Sequence, residues 1–246
     1  MKPLDLDSVT QFVNQNITGF HEKRLSKIQE LNLPDVLRRK NPYLFRAKHI
    51  QNAGELVNSL VDATLSSSEE TLFGTFLEEV AIFINQLVFD GQKSTTKGID
   101  LDFRRGGVRY LVTIKSGPNW GNSSQYQALE ANFKTALKVV RQSHHSGEVR
   151  AVLGMCYGHR TPSDRGTYES KEGQAFWEFI SGSATLYQDL IEPLGYEART
   201  HNDRYLHERN ALLNRLAGAF ITDFCEPDGR INWARLLAFN SGNLGR

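Results

Sequence analysis

Two cysteines in 246 residues, Cys156 and Cys225, are too few for a disulfide framework or a zinc cluster, and a reducing cytoplasm is the expected setting. Long apolar runs are also missing. No stretch reads as the roughly 18 apolar residues of a membrane span, and Met1-Lys2-Pro3-Leu4-Asp5 lacks the charged-then-apolar pattern of a secretory signal. Charge of one sign is scarce: the formal net charge is +1, so only a local basic surface could meet a polyanion. The phosphate-loop pattern G-x-x-x-x-G-K-[ST] does not occur, which argues against an ATP-driven motor. Repeats, low-complexity tracts and obvious linkers are absent too. What remains is an ordinary globular composition, 39% hydrophobic and 23% charged, large enough for one good core and read as a single domain over residues 1–246.

Residues 1–65 read as helical and mixed in charge, punctuated by Pro34 and Asn41-Pro42, since the residue before proline avoids helix. Ser66-Ser67-Ser68-Glu69-Glu70 has the serine caps and first-turn acids of a helix start. Leu72, Phe76, Val80, Phe83, Ile84 and Leu87 follow at helical spacing. A helix is expected over 125–142, with Leu129, Phe133, Ala136, Leu137 and Val140 on its buried side. Residues 149–157 read as a central strand. Helices are expected from Gly173 on: one beginning at Phe176-Trp177, a long one over 205–224 and a short one over 233–239. The order is that of an α/β core (66–160) with helical segments before (1–65) and after it (161–246).

The cleanest pattern lies between. Gly98-Ile99-Asp100-Leu101-Asp102-Phe103 and Tyr110-Leu111-Val112-Thr113-Ile114-Lys115 alternate strictly about Gly106-Gly107, which predicts a two-residue hairpin. Arg105 then opposes Val108, Asp102 opposes Leu111, and Asp100 opposes Thr113. One face carries Ile99, Leu101, Phe103, Tyr110, Val112 and Ile114. The other carries Asp100, Asp102, Arg104, Arg109, Leu111, Thr113 and Lys115. The plain reading of that second face is a solvated one, its acids balanced by Arg104 and Arg109. The chemical reading is a phosphodiesterase site. Carboxylates hold magnesium, whose hard charge suits oxygen ligands, and a neighbouring lysine positions or deprotonates the attacking water.

Gly-Ile-Asp at 98–100, a short hairpin and Lys115 closing the second strand resemble the PD-(D/E)XK nuclease superfamily. The run Lys115-Ser116-Gly117-Pro118-Asn119-Trp120-Gly121-Asn122-Ser123-Ser124-Gln125 is similar, more narrowly, to type II restriction endonucleases. Weaker similarity lies at 172–180 and 227–233. The resemblance implies a mixed central β-sheet of the restriction-endonuclease-like type, flanked by helices. It implies Mg2+-dependent, sequence-specific hydrolysis of double-stranded DNA to 5′-phosphates by a homodimer, matching a palindromic site. A cognate DNA methyltransferase is then a genetic partner rather than a bound subunit. Asp100 and Lys115 carry over as metal ligand and catalytic lysine, and the Ile114 carbonyl as a further ligand.

Thr113 departs from the pattern, standing where the family has an acid. The missing carboxylate could come from Glu79, favoured because it lies beside the apolar side of its helix, from Asp102, or from Glu130. Asn119, Trp120, Asn122, Ser123 and Gln125 could read DNA, or form a capped turn with Trp120 folded on the core. Lys134, Lys138 and Arg141 share a helix face that reads first as wet surface. His144-His145 reads as a helix end; His159, His201 and His207 suggest no site. Two alternatives stay open: a nuclease of repair or mobile elements, and a DNA-binding module that lost its chemistry with the acid at Thr113.

Overall fold

The computed structural model describes residues 1–142 and 147–242; His144-His145 lies outside the described residues. In chain order the elements are α1 (Leu6–Glu30), α2 (Leu33–Arg39), α3 (Pro42–Ala47), α4 (Ala53–Phe89), β1 (Gln92–Lys93), β2 (Leu101–Arg105), β3 (Val108–Lys115), α5 (Ser123–Gln142), β4 (Val149–Met155), β5 (Ser163–Asp164), β6 (Glu169–Glu172), α6 (Gln174–Ser181), α7 (Leu186–Asp189), α8 (Ile191–Leu194), α9 (Ala198–Phe224) and α10 (Trp233–Ser241). They divide into two compact units. One comprises residues 1–18 and 73–196, the other residues 19–72 and 197–246.

The first unit holds a six-stranded mixed sheet in the order β1-β2-β3-β4-β6-β5. The β2–β3 hairpin has the register that its alternation predicts, Arg105 against Val108 and Asp102 against Leu111. Gly106 and Gly107 both take positive φ, 58° and 83°, as a tight turn in register with strand twist requires. β3, β4 and β6 run parallel. Both sheet faces are covered, so the solvated-face reading does not hold. Leu111, Ala151, Leu153 and Met155 pack against Leu129, Phe133, Ala136 and Leu137 of α5. On the other side, Phe103 and Tyr110 meet Phe179 of α6 edge-on at 5.3 and 4.9 Å. Ile99 joins the α5 side rather than the face of Leu101. It precedes the first residue of β2 and follows Gly98 at φ 76°, so strand alternation does not govern it.

β1, β5 and β6 are not visible in the sequence pattern. Glu169-Ser170-Lys171-Glu172 has no apolar residue to alternate, and β6 exists through its pairing with β4. The serine run also proves not to be a helix start, because α4 passes through it unbroken. Hydroxyls in and beside the run bond back to the helix backbone instead: Thr64 donates to the Leu60 carbonyl at 2.8 Å, Ser67 to Ala63 at 3.1 Å and Thr71 to Ser67 at 3.0 Å. Such i−4 bonding lets Ser and Thr stay within a helix. The cap lies earlier, where Asn52 Oδ1 accepts from the Glu55 N–H at 2.7 Å. By length and composition α4 also meets the test for a membrane-crossing helix, contrary to the sequence expectation, with mean hydropathy 1.5 over an 18-residue window. Its apolar residues are used in protein cores: Val80, Ala81 and Ile84 are fully buried, and Leu56, Val57, Leu60, Val61 and Leu65 enter the core of the second unit.

That second core joins those α4 residues to Leu33, Val36 and Leu37 of α2 and to Leu212, Leu216, Phe220 and Phe224 of α9. Beside it, the rings of His21 and His201 stack at 4.4 Å, 7° from parallel. Burial pulls the His21 imidazole down from its ordinary 6.5 to about 4, with His201 and Arg24 adding repulsion. The unfolded chain therefore takes up this proton near pH 6.5, while the folded chain refuses it until about 4. Stability carried by this group is present above pH 6.5 and lost as pH falls through that window. Thermal unfolding followed from pH 7 to 4 is expected to show a smaller loss of midpoint in His21→Phe, which keeps the stack but has no proton to bind; equal losses would refute it.

Candidate active site

Asp100 sits at the entry to β2, held by two bonds to β3. Its N–H donates to the Val112 carbonyl at 2.8 Å, and its Oδ2 accepts from the Ile114 N–H at 2.7 Å. On the other edge of β3 the Lys115 carbonyl accepts from the Cys156 N–H. Ladder alternation then turns the Ile114 carbonyl to the β2 side, past the first residue of that strand. Asp100 and the Ile114 carbonyl thus share one place at the sheet's end.

Thr113 brings no carboxylate to that place. It is buried, and its hydroxyl donates to the Gly98 carbonyl at 2.6 Å, fixing the approach to Asp100. Asp102 is taken up by Arg109, with its carboxylate bonded by both Nε and Nη2, the shortest contact being 2.6 Å. Glu130 pairs with Lys134 at 2.7 Å and accepts from Thr167. Glu79 is exposed.

The acid brought to Asp100 is Glu78. α4 approaches the end of β3 at Gly74, where an added Cβ would stand 3.3 Å from the Ser116 Cβ. Glu78 is four residues on, hence on the same side of the helix, whereas Glu79 is turned about 100° further round. Burial pushes the Glu78 carboxyl above the usual range, and the charge of Asp100 pushes it further. Lys93, bonded to it at 3.4 Å, and Lys115 pull the other way. Two carboxylates, Glu78 made costly to ionise by burial and by the charge of Asp100, beside a lysine form an oxygen-rich site suited to a hard divalent cation. Among the described residues no cluster of three or more His, Cys, Asp or Glu side chains stands in position for a metal. The donors here are two carboxylates and a backbone carbonyl.

Lys115 is half-buried. Its Nζ lies 5.5 Å from the centroid of Trp120, within reach of a cation–π attraction. Trp120 in turn lies against Tyr126 at 4.6 Å and packs on the α5 side of the core. Asn122 and Gln125 form a capping box at the start of α5. Asn122 Oδ1 accepts from the Gln125 N–H at 3.1 Å, and Gln125 Oε1 accepts from the Asn122 N–H at 2.9 Å. Of the loop residues first read as DNA contacts, Asn119 and Ser123 stand exposed without such a duty. The Cys156 thiol, buried and facing the charge of Glu78, is pushed up to about 12 and stays protonated.

Residues 7–202, most of the chain, match the family described as Type II restriction endonuclease EcoO109I. The chain belongs to that family. It is a restriction endonuclease, and the mixed sheet flanked by helices is the fold such an enzyme is expected to have. A comparison with the curated proteins finds no match.

Proposed function

We propose that this restriction endonuclease makes Mg2+-dependent, sequence-specific double-strand breaks in DNA, with Asp100, Glu78 and the Ile114 carbonyl holding the metal and Lys115 as the catalytic amine. The observation that carries the reading is the convergence of Glu78, Asp100 and Lys115 at the end of β3. Magnesium bound there would neutralise charge on the scissile phosphate and acidify a bound water. Asp100 is held for its part by the Ile114 N–H, which leaves Oδ1 free to face the ion. Glu78, once ionised, supplies the carboxylate that Thr113 cannot. Lys115, flanked by the Trp120 ring, orients the attacking water and stabilises negative charge as it grows on the phosphate. The product would carry a 5′-phosphate.

The rest of the reading follows from the family. A homodimer would place one centre on each strand of a palindromic site, with both units of each chain serving one nuclease. A cytoplasmic setting and a methyltransferase as genetic partner complete it. Incubation of plasmid DNA with the protein and Mg2+ tests the proposal. Discrete fragments whose ends share one sequence are expected. Random nicking would point to a nuclease of repair or mobile elements, and binding without cleavage to a dead site.

A further inference from the structure

β3, β4 and β6 are parallel and end level. Lys115 pairs with Met155, and Met155 with Glu172, so the catalytic lysine, the end of β4 and the end of β6 form one row. Ligands of sheets with parallel strands gather beyond such carboxyl ends. The loop leaving β4 there, residues 156–162, is exposed at its tip and firmly held at its base.

Five contacts hold it. The ladder runs on past the strands, the Cys156 N–H donating to Lys115 at 2.9 Å and the Tyr157 N–H to Ser116 at 3.1 Å. The Trp177 indole donates to the Cys156 carbonyl at 2.8 Å. Glu172, whose side chain is only 4% exposed, accepts from the Arg160 N–H at 3.3 Å and faces its guanidinium at 3.8 Å. Gly158, at φ 127°, leaves room for that carboxylate: a Cβ there would fall 2.3 Å from Glu172 Oε2. A buried carboxylate is costly unless its bonds are made. Here they are made to the loop, so Glu172 serves to fix it.

The loop presents what a DNA strand would meet. The Tyr157 side chain lies against Gly117, where a Cβ would come within 2.0 Å of its ring, yet Tyr157 is 58% exposed. The Arg160 side chain is 63% exposed despite its contact with Glu172. His159 and Thr161 are exposed between and beside them. Residues 156–162 include no acid. A hollow of about 760 Å3 opens beside the loop, lined by Tyr157, Arg160, Trp177 and Tyr187.

We infer that residues 157–161 are a subsite for the DNA strand next to the scissile phosphodiester, Arg160 taking a backbone phosphate and the Tyr157 ring packing on a neighbouring sugar or base. This rests on reading Asp100 and Lys115 as the cleavage centre. The charge of Arg160 complements a phosphate, and its partly neutralised, tethered guanidinium is placed before the ligand arrives. Tyr157 is mounted on the same ladder that carries Lys115, so its ring would fix the distance between the bound nucleotide and the cut.

The test is binding of a fluorescein-labelled duplex of mixed sequence to the full-length protein, with Ca2+ replacing Mg2+, across a salt series. Tyr157→Ala is expected to weaken binding about tenfold, with Tyr157→Phe near wild type, because the ring face rather than the hydroxyl makes the contact. Arg160→Ala is expected to weaken binding and to lower the slope of log affinity against log salt by about one. Wild-type affinity and slope in both alanine variants would overturn the subsite, while plasmid cleavage by the wild type would leave the nuclease reading standing. Conversely, a wild type that never cuts but loses binding through Tyr157 and Arg160 keeps the subsite and removes the nuclease reading. Unfolding midpoints near wild type show that either loss of binding is local.

Discussion

Asp100→Ala and Lys115→Ala are each expected to lower plasmid cleavage by about a thousandfold or more, with DNA binding in Ca2+ retained. The size follows from what each removes. Preorganised charge at a transition state is worth roughly 10²–10³ in rate for a single donor, and Asp100 would contribute a full metal ligand besides. The two losses should differ in metal response. Asp100→Ala should need far more Mg2+ for its residual activity, because its Oδ1 is the free oxygen of a carboxylate otherwise spent on the Ile114 N–H. Lys115→Ala should keep a near-normal Mg2+ requirement and lose turnover. Initial rates of linearisation across a Mg2+ series measure both. Full activity in either variant would place the centre elsewhere.

Glu78→Gln and Glu79→Gln, neighbours in sequence, should part company almost as widely. Glu78→Gln is expected to cost a hundredfold or more in cleavage by the same reasoning, and Glu79→Gln, on the exposed side of α4, little. Stability adds an independent readout with a definite sign. The Glu78 carboxyl is raised by burial and by Asp100, so between its ordinary 4.5 and the raised value the folded chain holds a proton that the unfolded chain has released. Stability therefore falls as pH rises through that window. Glu78→Gln removes the penalty, and its unfolding midpoint at neutral pH should exceed that of the wild type. Divalent metal should narrow the gap by stabilising only the protein that keeps both acids. A lower midpoint in Glu78→Gln, or equal loss of cleavage in Glu79→Gln, would contradict this assignment.

Much of the architecture was legible because period and burial coincide. The hairpin register could be read from alternation about two glycines, and every core residue expected of α5 is buried. β6 was not legible, since a four-residue strand without apolar side chains leaves no pattern. The continuity of α4 was hidden because Ser and Thr serve equally as caps or as i−4 donors, and only the fold decides which. Asp100, Ile114 and Lys115 meet where a strand motif would put them. Which acid of α4 the fold turns toward Asp100 depended on helix phase, where one residue is a turn of about 100°. The signal that could have fixed it is Gly74: a glycine within a helix marks close approach, here to Ser116, and Glu78 follows it by one turn. Asn122-x-x-Gln125 likewise carried a readable capping signature that competed with its reading as a DNA contact.

A divalent metal held between Asp100, Glu78 and the Ile114 carbonyl would show itself by anomalous scattering from crystals soaked in Mn2+. The expected result is a peak at the end of β3 in contact with those three groups, absent from crystals of Glu78→Gln. A peak held instead by Asp102, Glu79 or Glu130, with none at Asp100, would contradict it.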